Sequence, residues 1–250
     1  MAKTYLVNGR VYIGRQFEKK TLCMENGKLT VLEAGFDTAD GTVFDAHGLK
    51  VVPGFIDTHS HGAVGVDVNG ATAEDLEKIS CFMASKGTTS WLCSVLTDTQ
   101  EQTEWCIEQF KAHKNMEQSG AELAGIHLEG PFLGYAKRGA QAAENLHKPD
   151  PELFDRLNAA SGGKVKLVTV APEQPGAMEF IKAAKAMGIT TVTGGQLTQS
   201  RGKAVHVVEP VGAAVFVYGG GAVAGAGKIP AVNQGQGNGY TLGFQDIHKS

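Results

Sequence analysis

From Val51 onward the chain alternates short apolar runs with longer segments of helical period, and no other feature limits its possible folds as much. Such alternation is the signature of βαβ units around a parallel sheet. It predicts strands at 51–57, 88–95, 122–128, 165–171, 190–194 and 213–218. Helices are expected between them at 73–86, 100–117, 150–160, 176–187 and 200–209. A closed barrel of this kind needs eight units and usually ~250 residues of its own. The expected fold class is therefore α/β, an incomplete (β/α)8 TIM-type barrel of about six units.

Before Val51 the texture differs. The runs TYLVNGRVYIG, KTLCMENGKLTVLEAG and GTVFDAHGLKVV are short, β-rich and broken by Asn-Gly and Asp-Gly turn signals. The organisation expected is a small β domain at 1–52, a partial barrel at 53–218 and a Gly-rich tail at 219–250. The tail has neither helical nor strand period and reads as loop or disorder.

Composition excludes several classes. With 250 residues, 42% of them hydrophobic, and a formal net charge of −3, the chain is globular rather than disordered. No apolar run approaches the ~20 residues that span a bilayer, and the N-terminus lacks a signal-peptide pattern. A cytoplasmic protein with no membrane partner is expected. Lys and Arg are scattered without a basic stripe, so nucleic acid is not the expected partner. Cys23, Cys81, Cys93 and Cys106 form no CxxC pair, which argues against a disulfide scaffold or a zinc ribbon.

The chemistry-bearing residues gather at predicted strand ends. His59 and His61 follow the run VVPGFID, and residues two apart on a strand point to the same side, so their imidazoles can meet one cation. Glu129 closes the third strand of the expected barrel in GIHLEGPF, where Gly130 and Pro131 force a turn. Imidazole nitrogen and carboxylate oxygen are both ordinary ligands of Zn²⁺ and Fe²⁺. The bland alternatives are a chance His-x-His in a surface loop and a Glu129 paired with Arg or Lys at the barrel rim. His127 shares the face of Glu129 but lies deeper, so core histidine, support for a ligand and direct ligation all stay open. Asp57 is placed to orient His59 or His61 through the outer ring nitrogen.

PGFIDTHSHG, HLEGPF, the downstream KRGAQ (Lys137 to Gln141) and VTVAPE together resemble the N-acetylglucosamine-6-phosphate deacetylases of the amidohydrolase superfamily. The likeness covers residues 5 to 195. It implies metal-assisted hydrolysis of a phosphosugar acetamide with one or two divalent ions, Zn²⁺ or Fe²⁺, and a homodimer. It further implies that Glu129 binds the main metal and that Ala140 and Gln141 contact the sugar. Gln141 stands where the family usually has His. The family's two further ligating histidines fall, by spacing, on Gln196 and Tyr218, and its Leu-Phe-Asn-Ala-Met segment falls on Gly219 to Val223, where Gly221 and Ala222 are the expected substrate contacts. Lys228 stands where the family has an Arg, and the catalytic Asp is expected beyond Ser250. The alternatives to an active deacetylase are a catalytically inactive remnant and another amidohydrolase of deaminase or dipeptidase type.

Overall fold

The computed structural model describes residues 3–33, 35–193, 215–219, 223–224 and 238–242, with side chains as far as Val192. Its strands are β1 (Lys3–Ile13), β2 (Gln16–Glu25), β3 (Lys28–Leu32), β4 (Gly41–Asp45), β5 (Lys50–Pro53), β6 (Phe55–Ser60), β7 (Gly62–Ala63), β8 (Val66–Asp67), β9 (Thr88–Leu96), β10 (Glu122–Glu129), β11 (Val165–Val170), β12 (Thr190–Thr193), β13 (Val215–Gly219), β14 (Val223–Ala224) and β15 (Asn238–Leu242). The α-helices are α1 (Ala73–Ser85), α2 (Gln100–Asn115), α3 (Pro151–Ala160) and α4 (Ala177–Ala186).

One sheet is parallel and holds β6, β9, β10, β11 and β12 side by side in chain order, as the opening half of a (β/α) barrel does. β9 reads TTSWLCSVL and is buried along nearly its whole length. Helices cover one face and neighbouring side chains the other, which removes the usual in-out alternation. Three of these four helices begin at a side-chain cap. Thr72 and Asp75 form a capping box on α1, Thr99 caps α2, and Asp150 caps α3 with Pro151 in the first turn. The core runs through Trp91, Phe110, Leu123, Ile126 and Leu128. It continues into a triad of Phe132, Phe154 and Phe180, whose ring centroids lie 4.5 to 6.4 Å apart.

The second sheet is mixed, in the order β14-β15-β13-β5-β1-β2-β3, with β4 pairing alongside the first half of β1. It packs a smaller core of Leu6, Val11, Leu22, Met24, Ala46 and Val51.

Three expectations are corrected here. The run at 51–57, expected as one strand, is two: β5 belongs to the mixed sheet and β6 to the parallel one. The break falls at Pro53, which has no N–H to donate, and at Gly54, where a Cβ would collide with Thr89. The sixth expected barrel strand, 213–218, is β13, and it pairs antiparallel with β5, Phe216 opposite Val52. Among the described residues the parallel sheet therefore has five strands. The stretch at 219–250, expected as loop or disorder, instead contributes β14 and β15 to the mixed sheet, where β15 pairs with β13. The helix expected at 200–209 lies outside the described residues. Among the described residues no helix is long and apolar enough to cross a membrane.

Candidate metal centre

β6 and β10 both end at the same rim of the parallel sheet, separated only by β9. His59 is the penultimate residue of β6, His61 follows its end, and Glu129 closes β10. The ligand atoms of His59, His61 and Glu129 lie within 4.8 Å of one another. His61 Nε2 is 2.9 Å from Glu129 Oε2, His59 Nε2 is 3.5 Å from the same oxygen, and the two Nε2 atoms are 3.0 Å apart. The side chains of His59, His61 and Glu129 are 51%, 37% and 22% exposed, so the cluster is open to solvent on one side.

His61 Nδ1 lies 3.1 Å from the backbone carbonyl of Ser94. A carbonyl only accepts, so Nδ1 carries the hydrogen, and neutral His61 presents a bare lone pair at Nε2. That lone pair faces a carboxylate oxygen and a second imidazole. Two acceptor-type atoms, His61 Nε2 and Glu129 Oε2, converge with His59 Nε2 beside them, and with both imidazoles presenting lone pairs this is an arrangement a divalent cation satisfies. The donor set thus fits a divalent cation on chemistry as well as spacing.

Glu129 is held at its turn by Thr97, whose hydroxyl donates to the Glu129 carbonyl at 3.2 Å. Gly130 follows with φ +105, and a Cβ there would run into Thr97 Oγ1, so the turn admits only glycine. Gly130–Pro131 is a cis peptide.

The structure assigns the neighbouring residues more narrowly than the sequence does. His127 is buried, with Nδ1 2.9 Å from Ser94 Oγ and Nε2 2.8 Å from Thr169 Oγ1. Both ring nitrogens are committed, so His127 supports the cluster rather than joining it. Its ring stands edge-on to His59 at 4.7 Å between centroids. Burial, and then the nearby His59 and His61, push its pKa down to about 3, which keeps it neutral. Asp57 does not reach a ring nitrogen. Its Oδ1 accepts the backbone N–H of His59 at 3.0 Å and braces the strand end instead.

Gln141 is buried and its side-chain oxygen accepts the Thr97 N–H at 2.7 Å, while Ala140 is exposed. Gln196, Gly221, Ala222 and Lys228 lie outside the described residues. Tyr218 has its backbone in β13, opposite Lys50 in the mixed sheet, and so is not at the end of a barrel strand as the spacing suggests. Sequence reading missed Ser94 and Thr169. Each is a small hydroxyl residue inside an apolar strand, and a buried hydroxyl needs a partner, which was the available signal.

Residues 50–202 match the amidohydrolase family. The chain is similar to the N-acetylglucosamine-6-phosphate deacetylase of Bacillus subtilis (strain 168), 37% identical over 147 residues covering 58% of this chain and 37% of that protein. It is also similar to the N-acetylgalactosamine-6-phosphate deacetylase of Escherichia coli O157:H7, 30% identical over 142 residues covering 57% of this chain and 38% of that one. Among solved structures, N-acetyl-D-glucosamine-6-phosphate deacetylase from Mycobacterium smegmatis superposes with a TM-score of 0.65 at 26% identity, covering 79% of this chain and 51% of that one. The chain spans less than half the length of the curated relatives it matches.

Proposed function

Because the chain belongs to the amidohydrolase family, we propose that it binds a divalent cation through His59, His61 and Glu129 and hydrolyses the acetamide of N-acetylglucosamine 6-phosphate. The products are acetate and glucosamine 6-phosphate. One observation carries the reading: the Nε2 of His61, oriented by the Ser94 carbonyl, faces Glu129 Oε2 at 2.9 Å with His59 Nε2 beside it. The names of the similar proteins support the substrate class.

A divalent cation held there polarises an amide carbonyl and lowers the pKa of a water, the two requirements of hydrolysis at neutral pH. The chain's own residues do the positioning. Glu129 brings a negative charge that offsets the cation, and its turn at Gly130 keeps the carboxylate at the rim. Gln141 has its oxygen engaged by Thr97, so its amide N–H groups are what it offers a sugar hydroxyl. The expected metal is Zn²⁺ or Fe²⁺. The expected setting is the cytoplasm, since a charged phosphosugar does not pass a bilayer. The expected assembly is a homodimer, which light scattering checks.

A second reading, metal binding without turnover, is favoured by Gln196 and Tyr218, which stand by spacing where the deacetylase pattern has ligating histidines. The test is acetate release. Chelator-treated protein is resupplied with Zn²⁺ or Fe²⁺ and assayed on N-acetylglucosamine 6-phosphate and its galacto epimer. Release of acetate that disappears in Glu129→Gln supports the deacetylase. Metal uptake with no acetate from either sugar supports the second reading.

A further inference from the structure

The geometry points to Ser94 as the positioning residue that fixes both imidazoles of the cluster at once, an inference that rests on the metal-centre reading above. Its starting point is a slip in the strand ladder. On β6, Asp57 pairs with Trp91 of β9 and Ser60 with Cys93, three steps on one strand against two on the other. Such a bulge bends the strand and re-aims its side chains. Ser60, where the pairing resumes, sits between the two histidines. Its amide donates to Ser94 Oγ at 3.1 Å.

That bond sets the rest. Ser94 Oγ accepts from Ser60, and among the described residues the one acceptor bonded to this buried hydroxyl is His127 Nδ1, 2.9 Å away, so the Ser94 hydrogen is assigned to it. His127 then carries its proton on Nε2 and donates to Thr169 Oγ1 at 2.8 Å. A ring held at both ends across β9, β10 and β11 becomes a fixed wall, and His59 packs edge-on against it. Meanwhile the Ser94 carbonyl takes the Nδ1 hydrogen of His61 at 3.1 Å. One residue therefore holds the amide between the ligands through its hydroxyl, His61 through its carbonyl, and His59 through His127. Ser94 is fully buried. Alanine there strands the Ser60 N–H and His127 Nδ1 without filling any other role.

The test measures Co²⁺ binding to the full chain and the visible spectrum of the Co²⁺ form, alongside the thermal midpoint of the apo protein. Ser94→Ala is expected to weaken Co²⁺ by ~10–100-fold, the range for groups that orient metal ligands, and to change the ligand-field bands. Thr169→Val, which releases only the far end of His127, is expected to cost less affinity. A folded Ser94→Ala with wild-type affinity and spectrum overturns the inference. Wild-type protein that takes up no Co²⁺ overturns the metal-centre reading itself, a distinguishable result. A second measurement needs no variant. In protein labelled with ¹⁵N-histidine, His127 is expected as the Nε2–H tautomer and apo His61 as the Nδ1–H tautomer, and the opposite tautomer at His127 refutes the chain of bonds.

Discussion

Two histidine–glutamate clusters sit at opposite ends of the same half-barrel, and the protein treats them differently. At one end Glu77 of α1 meets His113 of α2, Nε2 to Oε2 at 2.8 Å. Glu77 Oε1 also accepts the Ser119 N–H at 2.7 Å, the Ser119 hydroxyl at 2.9 Å and the Gly120 N–H at 3.0 Å. At the other end, Glu129 takes no backbone N–H among the described residues and instead faces two Nε2 atoms. In the first cluster the chain's own donors complete the carboxylate, leaving it nothing to bind. In the second, no backbone amide among the described residues reaches the carboxylate, and two imidazole nitrogens converge on it at the solvent-open rim. Residue types alone do not distinguish a staple from a site; the count of donors around the carboxylate does.

Removing the completed carboxylate is expected to have the largest effect on folding. Glu77→Ala leaves buried His113 and the Ser119 and Gly120 amides unsatisfied. The expected loss is about 3 kcal/mol, the low end for stripping one partner from a buried pair, because 13% of the Glu77 side chain stays exposed. Urea unfolding measures it. A change below about 1 kcal/mol would break the contrast.

The pH dependence follows from the same donors. Burial pushes the Glu77 carboxyl upward, but the hydrogen bonds from His113, Ser119 and Gly120 outweigh it and hold the pKa at about 2 against the usual 4.5. The folded value lies below the unfolded one, so the unfolded chain takes up the proton first as pH falls. Its contribution is complete above pH 4.5 and drains away toward pH 2. The thermal-midpoint gap between wild type and Glu77→Gln should therefore narrow over that window. A gap constant from pH 6 to pH 3 contradicts the assignment.

The smallest expected effect falls at the open cluster. Glu129→Gln should shift apo stability by no more than ~0.5 kcal/mol, because no structural donor loses its acceptor. It should abolish any rise in thermal midpoint on adding Zn²⁺. A large apo destabilisation would make Glu129 a second Glu77 and erase the distinction.

The sequence made the half-barrel legible where structure is local. The apolar run of β9, the caps at Thr72, Thr99 and Asp150, and the His-x-His at a strand end all lie in contiguous residues. What it hid depends on pairing between distant segments. β13 reads as a strand in any sheet, and its choice of β5 over the barrel is set by neighbours that periodicity cannot name. Glu77 and His113 are on different helices, and nothing in either helix marks the other. His59 and His61 were visible as candidate ligands, but their aim depends on Ser94 and on a ladder slip, both of which appear only once β6 and β9 lie side by side.

If the second cluster is completed by a cation, calorimetric titration of chelator-treated protein with Zn²⁺ will register it. Saturable uptake is expected for the wild type, lost in His61→Ala and in Glu129→Gln and retained in Glu77→Gln. A wild-type chain that takes up no Zn²⁺, or one whose uptake survives both the His61 and Glu129 substitutions, would contradict it.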